Sequence, residues 1–212
     1  MRLDPPTLEA GCAALADRSD ALAALYERNG TPPLWRRDPG FPTLVKLVLE
    51  QQVSLASGAA AYRRLQLRLG EVTPEAFLAL NDEELRAAAF SRQKARYVRG
   101  IASAIVDGDL DLAALGTLDD ADAAAVLTGH VGIGPWTASN YLLFALGRPD
   151  VWPTGDRALV VSMARALDLA DPPRYPDADE MAGEWSPWRA VAARLLWHDY
   201  LGGSAYDPTS FS

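Results

Sequence analysis

Hydrophobic positions recur at helical spacing along most of the chain, and polar caps and glycines punctuate them. Thr73-Pro74-Glu75 reads as a helix start, with a capping hydroxyl, proline at the first helical position and an acidic first turn. Asn81-Asp82-Glu83-Glu84 is a second start, with Glu three residues after the cap as in a capping box. Ser91 opens a run carrying Tyr97, Ile101 and Ile105 on one face and ending near Gly108. Asp119 precedes an Ala-rich run to Leu127, and Gly129 supplies its stop. Pro135 starts another, Trp136 to Leu146, which Gly147 ends; Arg157 to Leu167 and Trp188 to Leu201 continue the pattern. Near the start, Leu8 to Arg28 reads as helix and is followed by a Pro-rich loop. Period-two alternation of β-branched residues is nearly absent, so the pattern predicts an all-α protein of about ten short helices, mostly antiparallel to their neighbours. The Pro-, Asp- and Gly-rich segment from Asp168 to Pro187 reads as a surface excursion, and the tail from Gly202 to Ser212 as frayed.

Composition narrows the class. The chain has 212 residues, 49% hydrophobic and 23% charged, enough for a sizeable core in one domain or two closely packed lobes. Apolar stretches such as Leu44 to Leu49 fall far short of the roughly 20 residues that span a bilayer. Met1-Arg2-Leu3-Asp4 lacks the basic start and apolar run of a signal peptide. A cytoplasmic protein with no membrane partner is expected. The single cysteine, Cys12, permits no internal disulfide and no four-cysteine zinc or iron–sulfur site. The net charge of −8 argues mildly against non-specific nucleic-acid binding, although a local patch can dominate at a contact surface. Lysine occurs only at Lys46 and Lys94.

The most informative stretch is Leu127-Thr128-Gly129-His130-Val131-Gly132-Ile133-Gly134-Pro135-Trp136-Thr137-Ala138, between two predicted helices. Gly132 and Gly134 flank one apolar residue, the pattern of a tight helix–hairpin–helix turn. Ile133 can plug between the helices, and the amides opening the second helix then face outward, where the helix dipole favours an anion such as a DNA phosphate. Such contacts position a duplex without reading its sequence. A hairpin used only for packing would show the same two glycines. Nineteen residues after Ala138 comes Arg157, preceded by Val151-Trp152-Pro153-Thr154-Gly155-Asp156, an acidic residue at the mouth of a helix. Alone, that aspartate reads first as a plain N-cap, a very common use of Asp.

Together these elements resemble the helix-hairpin-helix DNA glycosylase superfamily, whose members carry a Gly-Pro-Asp element after the hairpin. Within it the chain is most similar to the 3-methyladenine DNA glycosylase II (AlkA-like) group. The resemblance runs from about Phe41 to Leu201, and Trp185-Ser186-Pro187-Trp188-Arg189 is a further typical element. It implies an all-α, two-lobed helical glycosylase fold: a single compact domain over 1–212, a hairpin lobe centred on 119–147 and an Asp loop over 148–156. Some group members carry an extra mixed α/β domain before the helical core. Only some 40 residues precede Phe41, so none is expected here.

The chemistry the resemblance implies is hydrolysis of the N-glycosidic bond of alkylated purines in duplex DNA, with the damaged base flipped into a pocket. Asp156 is the implied catalytic carboxylate, stabilising oxocarbenium character on the sugar or orienting water. Bifunctional relatives carry a Schiff-base lysine two positions after the second hairpin glycine; here that place holds Trp136, which implies hydrolysis without strand cleavage. Trp136 and Trp188 match pocket aromatics suited to cationic bases. Asn140 stands where the family tyrosine lies, with Tyr141 one position later. Trp35 and Trp197 read as core. Gln51 matches a pocket-side polar group and Gln52 the wedge that fills the gap left by the flipped base, where relatives often use an apolar residue; both also fit solvent-facing helix positions. Backbone carbonyls of Thr128, His130 and Gly132 match those that hold a monovalent cation, sodium or potassium, in family hairpins. No other cofactor is expected, and no iron–sulfur cluster. Arg92, Lys94, Arg96 and Arg99 form a basic cluster, with Gly132, Gly134, Arg92 and Lys94 the implied DNA contacts. The implied partner is double-stranded DNA containing damaged bases, met by a monomer. Competing readings are a non-enzymatic helix-hairpin-helix DNA-binding protein, which needs neither Asp156 nor Trp188, and a helical scaffold with no duplex binding.

Overall fold

A computed structural model describes residues 2–203. Among them lie twelve α-helices: α1 (Pro5–Ala16), α2 (Asp20–Asn29), α3 (Phe41–Glu50), α4 (Leu55–Leu69), α5 (Pro74–Leu78), α6 (Asp82–Ala87), α7 (Arg92–Val106), α8 (Asp120–Thr128), α9 (Pro135–Phe144), α10 (Arg157–Ala166), α11 (Tyr175–Gly183) and α12 (Arg189–Tyr200), with a 3₁₀ turn at Ala114–Thr117. The described residues contain no strand, as the periodicity predicts. None of the described helices is long and apolar enough to cross a membrane. The expected frayed tail lies, from residue 204 onward, outside the described residues.

The chain divides into two compact units. Of the described residues, one unit takes 2–36 and 142–203 and the other 37–141, so the boundary falls inside α9 and divides the segment expected as one hairpin lobe.

In the unit holding both chain ends, Asp4 caps α1 by accepting the Thr7 N–H at 2.8 Å. The expected continuous helix from Leu8 to Arg28 is two helices, because Ser19 adopts extended backbone and caps a new one, α2. Leu8, Cys12 and Leu15 on α1 and Leu22 and Leu25 on α2 enter a core shared with Leu159 and Met163 of α10 and Leu195 and Leu196 of α12. Gly11 lets α1 approach α12 closely: a Cβ there would lie 2.9 Å from the Trp188 ring and 3.0 Å from Val191. The Cys12 thiol is fully buried, and desolvation pushes its pKa up to about 12. The segment expected as a surface excursion contains α11, whose Ala178 and Ala182 enter the same core while Asp177 and Glu180 face outward.

Arg194 on α12 is fully buried with no carboxylate beside it. Its guanidinium donates to the carbonyls of Leu34 (3.2 Å), Ala190 (3.0 Å) and Leu143 (3.0 Å) and lies 5.8 Å from the Phe144 ring centroid. Burial lowers its pKa to about 9, leaving it protonated at neutral pH.

In the other unit the predicted caps form as read: Thr73 on α5, the Asn81–Glu84 capping box on α6, Ser91 on α7 and Asp119 on α8. Phe77 packs between Phe41 and Phe90, with ring centroids at 6.0 and 5.5 Å. Glu50, on the last turn of α3, is buried and receives both terminal nitrogens of Arg37, at 2.8 and 3.1 Å. Burial pushes the Glu50 carboxyl up, against the opposing pull of Arg37.

Candidate active site

The hairpin forms as its sequence suggests. The α8 helix ends at Gly129, the Ile133 amide donates to the His130 carbonyl at 3.0 Å, and Ile133 is buried. Gly132 has φ +101°, and a Cβ there would lie 2.5 Å from Cβ and Cγ of Tyr97 on α7. Both backbone conformation and a packed ring therefore require glycine at 132. Gly134 differs: its φ is not left-handed, and a Cβ there would meet nothing within 4 Å. The amides of α9's first turn precede the helix's first internal bond, from Ala138 N–H to the Gly134 carbonyl. Val131, at the tip, is 72% exposed.

The end of α3 is tied to this turn. Gln51 Nε2 donates to the Gly132 carbonyl and to Thr137 Oγ1, both at 2.9 Å. The half-buried Lys94 donates through Nζ to the carbonyls of Leu49 (2.7 Å) and Gln51 (2.9 Å). Two of the three N–H donors of Lys94, expected to meet a phosphate, are thus spent within the protein. Its ammonium satisfies carbonyls that the end of α3 leaves open, and it complements the helix dipole there. Burial lowers its pKa, and Glu50 opposes that shift. Arg99 is likewise engaged, with Asp82 and the Leu80 carbonyl. Arg92 and Arg96 are exposed. Gln52 is exposed with φ +57°, in the left-handed region, and is followed by Val53 and Leu55, 46% and 38% exposed.

Two expected base contacts are corrected. Tyr141 is fully buried, and its hydroxyl accepts the Gly40 N–H at 2.9 Å; burial raises its pKa. Asn140 is buried as well, and its Nδ2 donates to the Trp136 carbonyl one turn back, at 2.8 Å. Both lie on the inward face of α9 and have no surface to offer a ligand, whereas Trp136 is half-exposed. Two of the three carbonyls expected to hold a monovalent cation also accept hydrogen bonds within the protein. His130 O accepts from Ile133 N, and Gly132 O accepts from Gln51 Nε2. Each of these carbonyls has a second lone pair, so one hydrogen bond leaves it able to meet an ion. Among the described residues no group of three or more His, Cys, Asp or Glu could hold a metal.

In the other unit, Asp156 lies where the sequence places it, half-exposed at the mouth of α10. Its Oδ1 accepts the Leu159 N–H at 3.0 Å and Trp197 Nε1–H at 3.3 Å. Trp197 was expected in the core. It is half-buried, stacks on Phe144 with centroids 5.4 Å apart and aims its indole N–H at the carboxylate. Trp35 is buried as expected. Trp188 is half-exposed, with its ring against Gly11.

The loop leading to Asp156 is braced by two carboxylates that the sequence reading missed. Asp150 accepts from Arg189 N, Nε and a terminal nitrogen at 3.0–3.1 Å, and from Ser186 Oγ at 2.8 Å. Asp179 on α11 accepts from Trp152 Nε1 at 3.0 Å and Thr154 Oγ1 at 2.5 Å. Burial acts to raise the Asp150 pKa, but the bonds from Arg189 and Ser186 outweigh it and hold the carboxyl below its usual range. A depressed carboxyl adds stability that is complete above its unfolded pKa and fades as pH falls through the folded value. Asp150→Asn should therefore flatten the loss of Tm between about pH 5 and pH 3. Parallel wild-type and variant curves in that window would remove Asp150 from the acid response.

A model of the HhH-GPD superfamily of base excision DNA repair proteins matches residues 45–187. The Bacillus subtilis protein YfjP, whose name carries a provisional assignment as a DNA-3-methyladenine glycosylase, is 31% identical over 84% of this chain and 64% of its own length. The chain thus spans just under two thirds of that relative. DNA-3-methyladenine glycosylase 2 of Escherichia coli is 27% identical over 74% of this chain and 57% of its own. Among solved structures, a DNA-3-methyladenine glycosidase from Bacillus halodurans aligns with a TM-score of 0.76 and 28% identity, covering 94% of this chain and 91% of that one. The 3-methyladenine DNA glycosylase of Schizosaccharomyces pombe, in complex with abasic DNA, aligns with a TM-score of 0.82 over 89% and 95%, and at 24% identity speaks to the fold alone. The extent of the family match, over a helical fold with the hairpin and the helix-mouth aspartate in place, is decisive: the chain belongs to the HhH-GPD superfamily of base excision DNA repair proteins.

Proposed function

We propose that this protein is a monofunctional DNA glycosylase that acts as a monomer on duplex DNA. It hydrolyses the N-glycosidic bond of alkylated purines such as 3-methyladenine and 7-methylguanine. The observation that carries the reading is Asp156: a half-exposed carboxylate at the positive end of α10, fixed by two N–H donors on one oxygen. As the C1′–N bond breaks, its electron pair leaves with the base, which departs neutral, and positive charge spreads over C1′ and the ring oxygen. A fixed carboxylate stabilises that charge without reorganising. Water then adds at C1′ and loses a proton, leaving an abasic sugar in an unbroken strand.

The rest of the chain supplies grip and selection. The outward amides at the start of α9 suit a phosphate. Gly134, which nothing in the protein constrains to glycine, suits close approach of a DNA backbone. The half-exposed Trp136 is an electron-rich ring that suits a cationic base, a contact worth about 0.5–2 kcal/mol, and in the other unit the half-exposed Trp188 has the same chemistry. Gln52, held outward by the turn after α3, fills the space the base vacates. Arg92 is exposed and Lys94 keeps one N–H donor, so both suit a phosphate contact.

Incubation with methylated duplex DNA tests the reading. Free 3-methyladenine or 7-methylguanine should be released, with strand breaks only after alkali, because the indole of Trp136 cannot form an imine with the sugar. Breaks without alkali would overturn the monofunctional assignment. Duplex binding without base release would favour a non-catalytic binding protein.

A further inference from the structure

We infer that Asp179 is a positioning residue that sets the Asp156 carboxylate in its catalytic place, an inference that rests on the reading above. The two residues lie on different elements, and the segment 152–156 links them. Asp179 Oδ1 accepts the Trp152 indole N–H at 3.0 Å, and Oδ2 accepts the Thr154 hydroxyl at 2.5 Å. One carboxylate thus grips the loop at two points, two and four residues before Asp156. Trp152 cannot swing away, because it is buried and packs on Trp185 with centroids 5.7 Å apart. Thr154 is fixed further by its amide, which donates to the Trp152 carbonyl at 2.9 Å.

Only Gly155 separates this braced pair from Asp156. It has φ +78°, and a Cβ there would meet nothing within 4 Å, so no neighbour packs on that side of the link. The Asp156 carboxylate is therefore determined from two directions. Downstream, Leu159 N–H and Trp197 Nε1–H hold its Oδ1. Upstream, the path of the chain depends on the two bonds to Asp179. The α11 helix that carries Asp179 is anchored through Ala178 and Ala182, so the brace is built on core rather than on a loose surface segment. Misplacing a catalytic group by a fraction of an ångström slows chemistry while leaving remote binding contacts untouched.

Asp179→Asn keeps the shape but offers one acceptor oxygen to two donors. It should lower the single-turnover rate of base release about tenfold while half-saturation with duplex DNA stays within about twofold. Thr154→Val, which removes the second donor with little volume change, should slow release in the same direction. Thr154→Ser, which restores the hydroxyl, should recover the wild-type rate. The double variant should be no slower than the slower single one. A rate unchanged in both Asp179→Asn and Thr154→Val, with an active wild type, overturns the inference and leaves the glycosylase reading standing. A loss shared equally by rate and DNA affinity, tracking a lowered Tm, would make Asp179 a plain structural tie. A wild type that releases no base removes the glycosylase reading and this inference together.

Discussion

Asp156→Asn should slow release of 3-methyladenine from methylated duplex DNA by about two to three orders of magnitude, the range typical of removing one electrostatic stabiliser of a transition state. The substitution isolates charge from structure. Asparagine caps helices as well as aspartate does, so α10 keeps its start. Its amide oxygen can still accept the Leu159 and Trp197 N–H groups that now meet Oδ1. What disappears is the negative charge that, in the proposed mechanism, faces the sugar as its bond to the base ionises. Thermal stability and duplex affinity should therefore stay near wild type while the single-turnover rate collapses. A variant within tenfold of the wild-type rate would remove Asp156 from the chemistry and leave it a cap.

The largest effect on stability should come from Arg194. Arg194→Ala is expected to destabilise by about 3–5 kcal/mol, a large part of a typical total, and to lower Tm by roughly 10 °C or more. Two losses add. The carbonyls of Leu34 and Leu143 lose their donor inside the protein, at about 1–3 kcal/mol each, and a cavity opens against Phe144. The Ala190 carbonyl matters less, because it lies one turn back on the same helix, within reach of the backbone amide at 194. Relief from burying a charge offsets part of the loss, since burial already pulls the guanidinium down to about 9. Arg194→Met separates the two losses: it refills the space without restoring a donor, and should stay below wild type by roughly 2 kcal/mol. A methionine variant as stable as wild type would assign the whole role of Arg194 to packing.

What the sequence made legible was local. Caps at Thr73, Asn81, Ser91 and Asp119 formed as read, because each bond lies within three residues of its donor. Ile133 plugged the hairpin, and Asp156 appeared at a helix mouth, for the same reason. What stayed hidden was carried by residues far apart in sequence. Gly132 is required partly by Tyr97, and Lys94 is drawn to Leu49 and Gln51, more than 40 residues earlier. A lysine at helical spacing reads as a solvated charge, and only the fold shows where its four-carbon stem leads. Trp197 reads as core because nothing local signals the aspartate 41 residues earlier. Asn140 and Tyr141 were placed by resemblance to the family's tyrosine position, yet along α9 neither faces outward. In α11, a proline and three acidic residues masked the two alanines that carry its packing.

The buried state of Cys12 bears on how this protein would fare among the methylating agents that its proposed substrates imply. Methylating electrophiles that modify purines also react with sulfur, and among cysteines they select the ionised form. This chain's only thiol is sealed between helices and kept protonated far above neutral pH. Such reagents would find little thiolate at this position, so Cys12 should resist methylation while the protein stays folded.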